Sequence, residues 1–162
     1  MKDLLLTYAR YHHWATDRVL ESTKPIPDDA RKADAGLYFR GIHGTLNHLL
    51  LVDRLWLGRF TGTPYPVRDL AEEVDADFTT LAASLRRETA AWESFVDGYP
   101  ESELAQPFTY TSMRGALTTV RLGEALLHVF NHGTHHRGQI SAIVTRLGFP
   151  TPETDIVDLV RL

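Results

Sequence analysis

The chain has 162 residues, a formal net charge of −4 and 43% hydrophobic residues, the balance of one globular domain spanning residues 1–162. It holds no cysteine, which excludes disulfides and thiolate metal sites, and no basic block that would engage nucleic acid. No apolar run approaches the ~20 residues that cross a bilayer, and Leu4–Leu6 is too short for a signal peptide, so the expected location is the cytoplasm.

The first helix is expected from about Asp3 to Ser22, where Leu5, Tyr8, His12, Ala15 and Val19 recur at steps of three or four. Lys24-Pro25-Ile26-Pro27 stops it, because proline has no amide hydrogen and turns the preceding residue away from helical geometry. A second helix is expected from about Phe39 to Phe60. Its stripe is Ile42, Leu46, Leu49, Trp56 and Phe60, and Leu50, Leu51, Val52, Leu55 and Leu57 widen the apolar surface. Such a helix is buried on more than one side. Gly62 and Pro64 end it.

The third helix is expected from near Asp69 to about Asp97, with Val74, Phe78, Leu81, Leu85, Trp92 and Phe95 facing inward. The acidic run Glu72–Asp77 would then lie near its start, facing water and complementing the helix dipole. Phe108–Thr111 and Ala116–Val120 read as a small hairpin or two extended segments. The fourth helix is expected from about Leu122 to Leu147, stopped by Gly148 and Pro150, and one short helix fits residues 153–162. The fold class is all-α, a four-helix bundle whose turn-rich connectors are long enough to cross it. Tyr8, Tyr11, Trp14, Trp56, Phe60, Phe78 and Trp92 are expected in its core.

Four of the eight histidines, His128, His132, His135 and His136, fall on the fourth helix. A wheel at ~100° per residue turns His132 and His136 toward the apolar stripe and leaves His128 and His135 on the flanks. Side chains four apart have Cβ atoms ~5–6 Å apart, so two imidazoles can converge on one ion through bonds of ~2.0–2.1 Å. Without an ion, each inward ring needs partners for one N–H and one bare nitrogen. A single histidine on an apolar face is more often a core residue with a local hydrogen bond; the pair at this spacing is what raises the metal reading. Gly133 is expected to make room on the inner face for a helix or a ligand, since glycine costs ~1 kcal/mol in a helix relative to alanine.

A catalytic zinc-type site wants three protein ligands and an open position. The wheel does not separate His43 from His48 on the second helix. His48 is preferred because Leu51, Val52 and Leu55 share its side, and His12 is a further candidate. Gln139, three residues past His136, is expected as an exposed polar residue, with a contact behind the ligand as the alternative.

Asn131-His132-Gly133-Thr134-His135-His136-Arg137-Gly138-Gln139 closely resembles the last-helix motif of the DinB/YfiT-like proteins. Tyr11-His12-His13-Trp14-Ala15 with Arg18-Val19-Leu20 is similar to that family's opening helix, and Gly44-Thr45-Leu46-Asn47-His48-Leu49 resembles its second-helix motif. The resemblance implies a four-helix bundle of unusual connectivity, a homodimer, and a divalent metal, typically zinc or nickel, with water in the open positions. Carried over residue by residue, the ligands are His48, His132 and His136, which decides against His43. The wider superfamily includes S-transferases and isomerases that use small thiols such as bacillithiol or mycothiol. The implied chemistry is a metal-held thiol attacking a small electrophile, and a chain without cysteine takes that sulfur from a cosubstrate. The alternatives are a metal-dependent hydrolase and a non-catalytic metal-binding stress protein. Against the first, Gly133 stands where the usual helix motif has its Glu. Against a structural site, no fourth protein ligand is evident.

Overall fold

Four long helices carry the computed structural model, which describes residues 1–151 and 153–161. They are α1 (Lys2–Thr23), α3 (Ile42–Thr61), α4 (Phe78–Asp97) and α5 (Leu122–Arg146). Two short helices, α2 (Asp28–Lys32) and α6 (Ile156–Val160), and a 3-10 turn at Glu101–Ala105 complete the helical part. The expected hairpin forms as β1 (Pro107–Thr111) against β2 (Leu117–Arg121), antiparallel, with Phe108 opposite Val120 and Tyr110 opposite Thr118. Leu162, at the end of the expected tail helix, lies outside the described residues. No helix among those described is long and apolar enough to cross a membrane.

The principal neighbours of α1 are α4 and α5, and those of α3 are also α4 and α5. The bundle therefore runs α1–α4–α3–α5 around its axis, with α1 diagonal to α3 and α4 diagonal to α5. Two of the three long connections cross the bundle. Both apolar ends are well filled. Leu5, Trp56, Phe60, Trp92, Val96 and Phe130 meet at the hairpin end; Leu20, Leu46, Leu50, Leu81, Leu85 and Ile140 meet at the other. A polar layer separates them, contributed by His12 and Thr16 of α1, Asp53 of α3, Thr89 of α4 and Arg137 of α5, all buried.

Two helix starts differ from expectation. α3 begins at Ile42, not Phe39, because Arg40 takes the left-handed conformation (φ 67°) and Gly41 is extended. That turn carries Phe39 back over the helix, where a side chain at Gly44 would collide with the Phe39 carbonyl. α4 begins at Phe78, not Asp69. Asp77 caps it by accepting from the Thr80 amide at 2.8 Å. The residues before it are held by Asn47 instead. Its side-chain oxygen accepts from the Val74 and Asp75 amides at 2.7 and 2.8 Å, and its amide group donates to the His43 and Asp75 carbonyls, both at 3.1 Å. The acidic run thus lies in a loop, and Glu73 pairs with His43 at 3.0 Å. Of the expected core aromatics, Tyr11, Trp56, Phe60 and Trp92 are buried, while Tyr8, Trp14 and Phe78 are half-buried.

Candidate metal centre

His48 reaches from α3 toward His132 and His136, one turn apart on α5. The His132 Nε2 lies 3.2 Å from the Nε2 atoms of both His48 and His136, and all three lie within 4.8 Å of one another. The ring orientations follow from what stands behind them. The His48 Nδ1–H donates to the Leu70 carbonyl at 2.9 Å, and the His136 Nδ1–H donates to the Gln139 side-chain oxygen at 2.8 Å. A carbonyl only accepts, so each of these rings carries its proton on Nδ1 and presents a bare Nε2. Phe39 stacks on His48 with centroids 3.7 Å apart and planes 16° apart, closing one face of the ring.

Three imidazole nitrogens now share a space in which the sole ring proton that can lie among them is one on His132 Nε2. Their protonation is disfavoured. Burial pushes His48 down to about 4, with the Leu70 carbonyl opposing and His136 adding to the fall. Burial and the neighbouring imidazoles push His132 down to about 3, and burial lowers His136 against the opposing pull of Gln139. The rings are neutral at pH 7, the form that ligates a metal. A set of borderline nitrogen donors with no thiolate or carboxylate, poor in protons and preoriented from behind, fits a divalent first-row ion and can hold one.

His43 and His12 have ordinary protein partners. His43 is buried against Glu73, away from this cluster. The His12 Nε2 sits 3.1 and 3.2 Å from the two Asp53 oxygens, and its Nδ1 accepts from Arg137 Nη1 at 3.0 Å. Arg137 also donates to Thr16 and Thr134 at 3.3 and 3.0 Å. Gly133 makes room for this network: a Cβ there would lie 2.6 Å from the His12 ring and 2.8 Å from Arg137 Nη1. Sequence reasoning missed Arg137, although it continues the inward rhythm of Gly133, Ile140 and Val144. It also underrated Gln139, whose amide bridges His136 and His135, the latter contact 3.1 Å long. His128 and His135 are exposed flanking residues, as their wheel positions required.

On the side of His48 and His132 nearest the hairpin opens a cavity of about 200 Å³, walled by Val52, Trp56, Leu70, Tyr110, Met113 and His128, with Arg59 at its rim.

A crossed four-helix bundle with three histidines converging between its second and last long helices defines the class of protein. The DinB family profile matches residues 1–162, and the chain belongs to that family. Protein DinB of Bacillus subtilis (strain 168) is 25% identical over 169 residues, an alignment covering 96% of this chain and 92% of that protein. The crystal structure of a DinB-like protein from Bacillus cereus ATCC 10987 has the same fold, with a TM-score of 0.66 and 18% identity over 92% of this chain and 94% of that one.

Proposed function

We propose that the protein binds one divalent ion, zinc or nickel, through His48, His132 and His136, and is an S-transferase that joins a small thiol to an electrophile. The carrying observation is the convergence of three Nε2 atoms, two of them on rings whose protons are held on the far side by carbonyl oxygens. When bound, such an ion supplies Lewis acidity and stabilises a thiolate or hydroxide near neutral pH. The chain's own contribution is orientation and exclusion. Leu70 and Gln139 hold two rings in the ligating tautomer, Phe39 covers His48, and Val52, Trp56 and Met113 give the electrophile an apolar wall. In the transfer the thiol gives up its proton to solvent water, its sulfur forms a bond to the electrophilic carbon, and the leaving group departs with its bonding pair.

A hydrolase is the weaker reading because the carboxylates on the relevant helices are engaged. Asp53 is tied to His12, and Glu124 pairs with Arg121. The absence of cysteine favours a sulfur brought in by a cosubstrate. Family resemblance also underlies the proposals of a homodimer and of a cytoplasmic location; light scattering tests the first.

The test is elemental analysis of protein purified without a histidine tag, followed by cobalt substitution and thiol addition. We expect one equivalent of metal, a new sulfur-to-cobalt absorption with added 2-mercaptoethanol, and loss of most metal in His132→Ala and His136→Ala with helicity retained. Equal metal content in variants and wild type would refute the ligand set. An unchanged cobalt spectrum would refute the thiol chemistry.

A further inference from the structure

The cavity beside the three histidines contains a cation that the site as described does not use. Arg59 follows His48 by eleven residues on α3, about three helical turns, so both side chains leave the same face. The two Cα atoms are then ~16 Å apart, and because helical side chains lean toward the N-terminus, Arg59 leans back toward His48. Its guanidinium lies 4.7 Å from the ring centroids of both Trp56 and Tyr110. One nitrogen, Nη2, donates to the Thr111 carbonyl at 3.0 Å. These three contacts fix the head group at the cavity wall.

Arg54, on the same helix, pairs with Glu88 at 3.3 Å. Arg59 has no carboxylate partner among the described residues; its surroundings are aromatic rings and one carbonyl. Burial accordingly pulls its pKa below the ordinary arginine value, with only Tyr110 opposing. Arginine stays charged even so. Its charge is felt at the histidine end: burial first, and the Arg59 charge second, lower the pKa of His128, whose ring is 5.9 Å from that of His132. A rigid, half-desolvated guanidinium with unused donors is a receptor for a planar anion, which it grips with two parallel N–H bonds. One cation amid apolar walls balances one negative charge, which favours a carboxylate over a phosphate dianion.

We propose that Arg59 binds the carboxylate of a small acid whose far end reaches His48 and His132. The second half of that statement rests on the proposed function of the histidines; the first half does not. A cavity of about 200 Å³ takes a short acid, or the acidic arm of a longer molecule. The substrate class is therefore a thiol or electrophile bearing a carboxylate several bonds from its reacting atom.

Two titrations separate the halves. In metal-free protein, hexanoate and 1-hexanol are compared through the indole NMR signal of Trp56. Hexanoate is expected to bind about tenfold more tightly, an advantage that shrinks with added salt, disappears in Arg59→Gln and partly survives in Arg59→Lys. Equal affinity in the wild type, or a preference that Arg59→Gln retains, would overturn the proposal. The salt series needs no variant and stands if Arg59→Gln does not fold. In cobalt-loaded protein, 6-mercaptohexanoate is compared with 6-mercaptohexanol through the sulfur-to-cobalt absorption. A band with both thiols but no carboxylate preference sinks the Arg59 assignment alone. A hexanoate preference without any band sinks the thiol chemistry and leaves Arg59 as an anion site.

Discussion

Gly133→Ala tests the packing behind the metal centre. A Cβ at this position would stand 2.6 Å from Cε1 and Nδ1 of His12 and 2.8 Å from Nη1 of Arg137. Non-bonded heavy atoms rest at ~3.5–4.0 Å, so an overlap near 1 Å must be relieved. Neither neighbour is free to give way. The His12 ring faces both Asp53 oxygens, and Arg137 is buried with its two Nη groups donating to His12, Thr16 and Thr134. Overpacking of this kind costs ~1–3 kcal/mol, and disturbing a hydrogen bond to a charged group adds ~1.5–3 kcal/mol. Against this, alanine gains ~1 kcal/mol in helix propensity. The net loss is ~1.5–5 kcal/mol, a fall in Tm of about 3–20 °C for a domain of this size. Gly138→Ala on the same helix is the control. A Cβ there meets nothing within 4 Å, so it should gain about 0.5–1 kcal/mol. Thermal unfolding followed by circular dichroism on metal-free protein at pH 7 reads both. A Gly133→Ala variant as stable as wild type, or two variants that shift together, would refute the buried network as drawn.

Three further outcomes follow from the same contacts. Gln139→Leu removes the acceptor that keeps the His136 proton on Nδ1, so metal affinity should fall ~10–100-fold in competition with a chromophoric chelator; unchanged affinity would return Gln139 to an exposed polar role. Asn47→Ala unpairs two loop amides and two carbonyls, so it should lose ~2–4 kcal/mol and weaken metal binding by loosening the segment that carries Leu70. Amide exchange at Val74 and Asp75 as slow as in wild type would count against it. In metal-free protein, His48 and His132 take up protons near 6.5 when unfolded but only near 4 and 3 when folded. The unfolded chain therefore holds more protons between these values, and stability falls as pH drops from 6.5 toward 4, by up to ~1.4 kcal/mol per pH unit for each ring. Above about pH 8 these rings contribute almost no slope. Urea midpoints that match at pH 7 and pH 5 would contradict the lowered values.

The parts of this molecule legible in its sequence are those governed by a local period. The long helices show as apolar stripes, the hairpin as two β-rich runs, and His132 and His136 as neighbours one turn apart on an inward face. His48 is a different case. It and His43 make nearly equal angles to the stripe of α3, and what separates them is distant: the Leu70 carbonyl takes the proton of His48, and Glu73 takes up His43. The start of α4 failed for a related reason. Residues 69–77 have a helix-compatible pattern, but the buried side chain of Asn47 offers their backbone hydrogen bonds that a helix would have to replace. Arg137 shows the limit most clearly. Placed in the rhythm of Gly133, Ile140 and Val144, a charge reads as an intrusion until His12, Thr16 and Asp53 are brought to it by α1 and α3. Those contacts give α5 two polar faces with different tasks. Gly133 and Arg137 lock the helix against α1, and that anchoring sets the rotation at which His132 and His136 meet His48 across the α3 interface. The site geometry thus depends on a glycine and an arginine that touch no ligand atom, and a periodic pattern registers their burial without registering their partners.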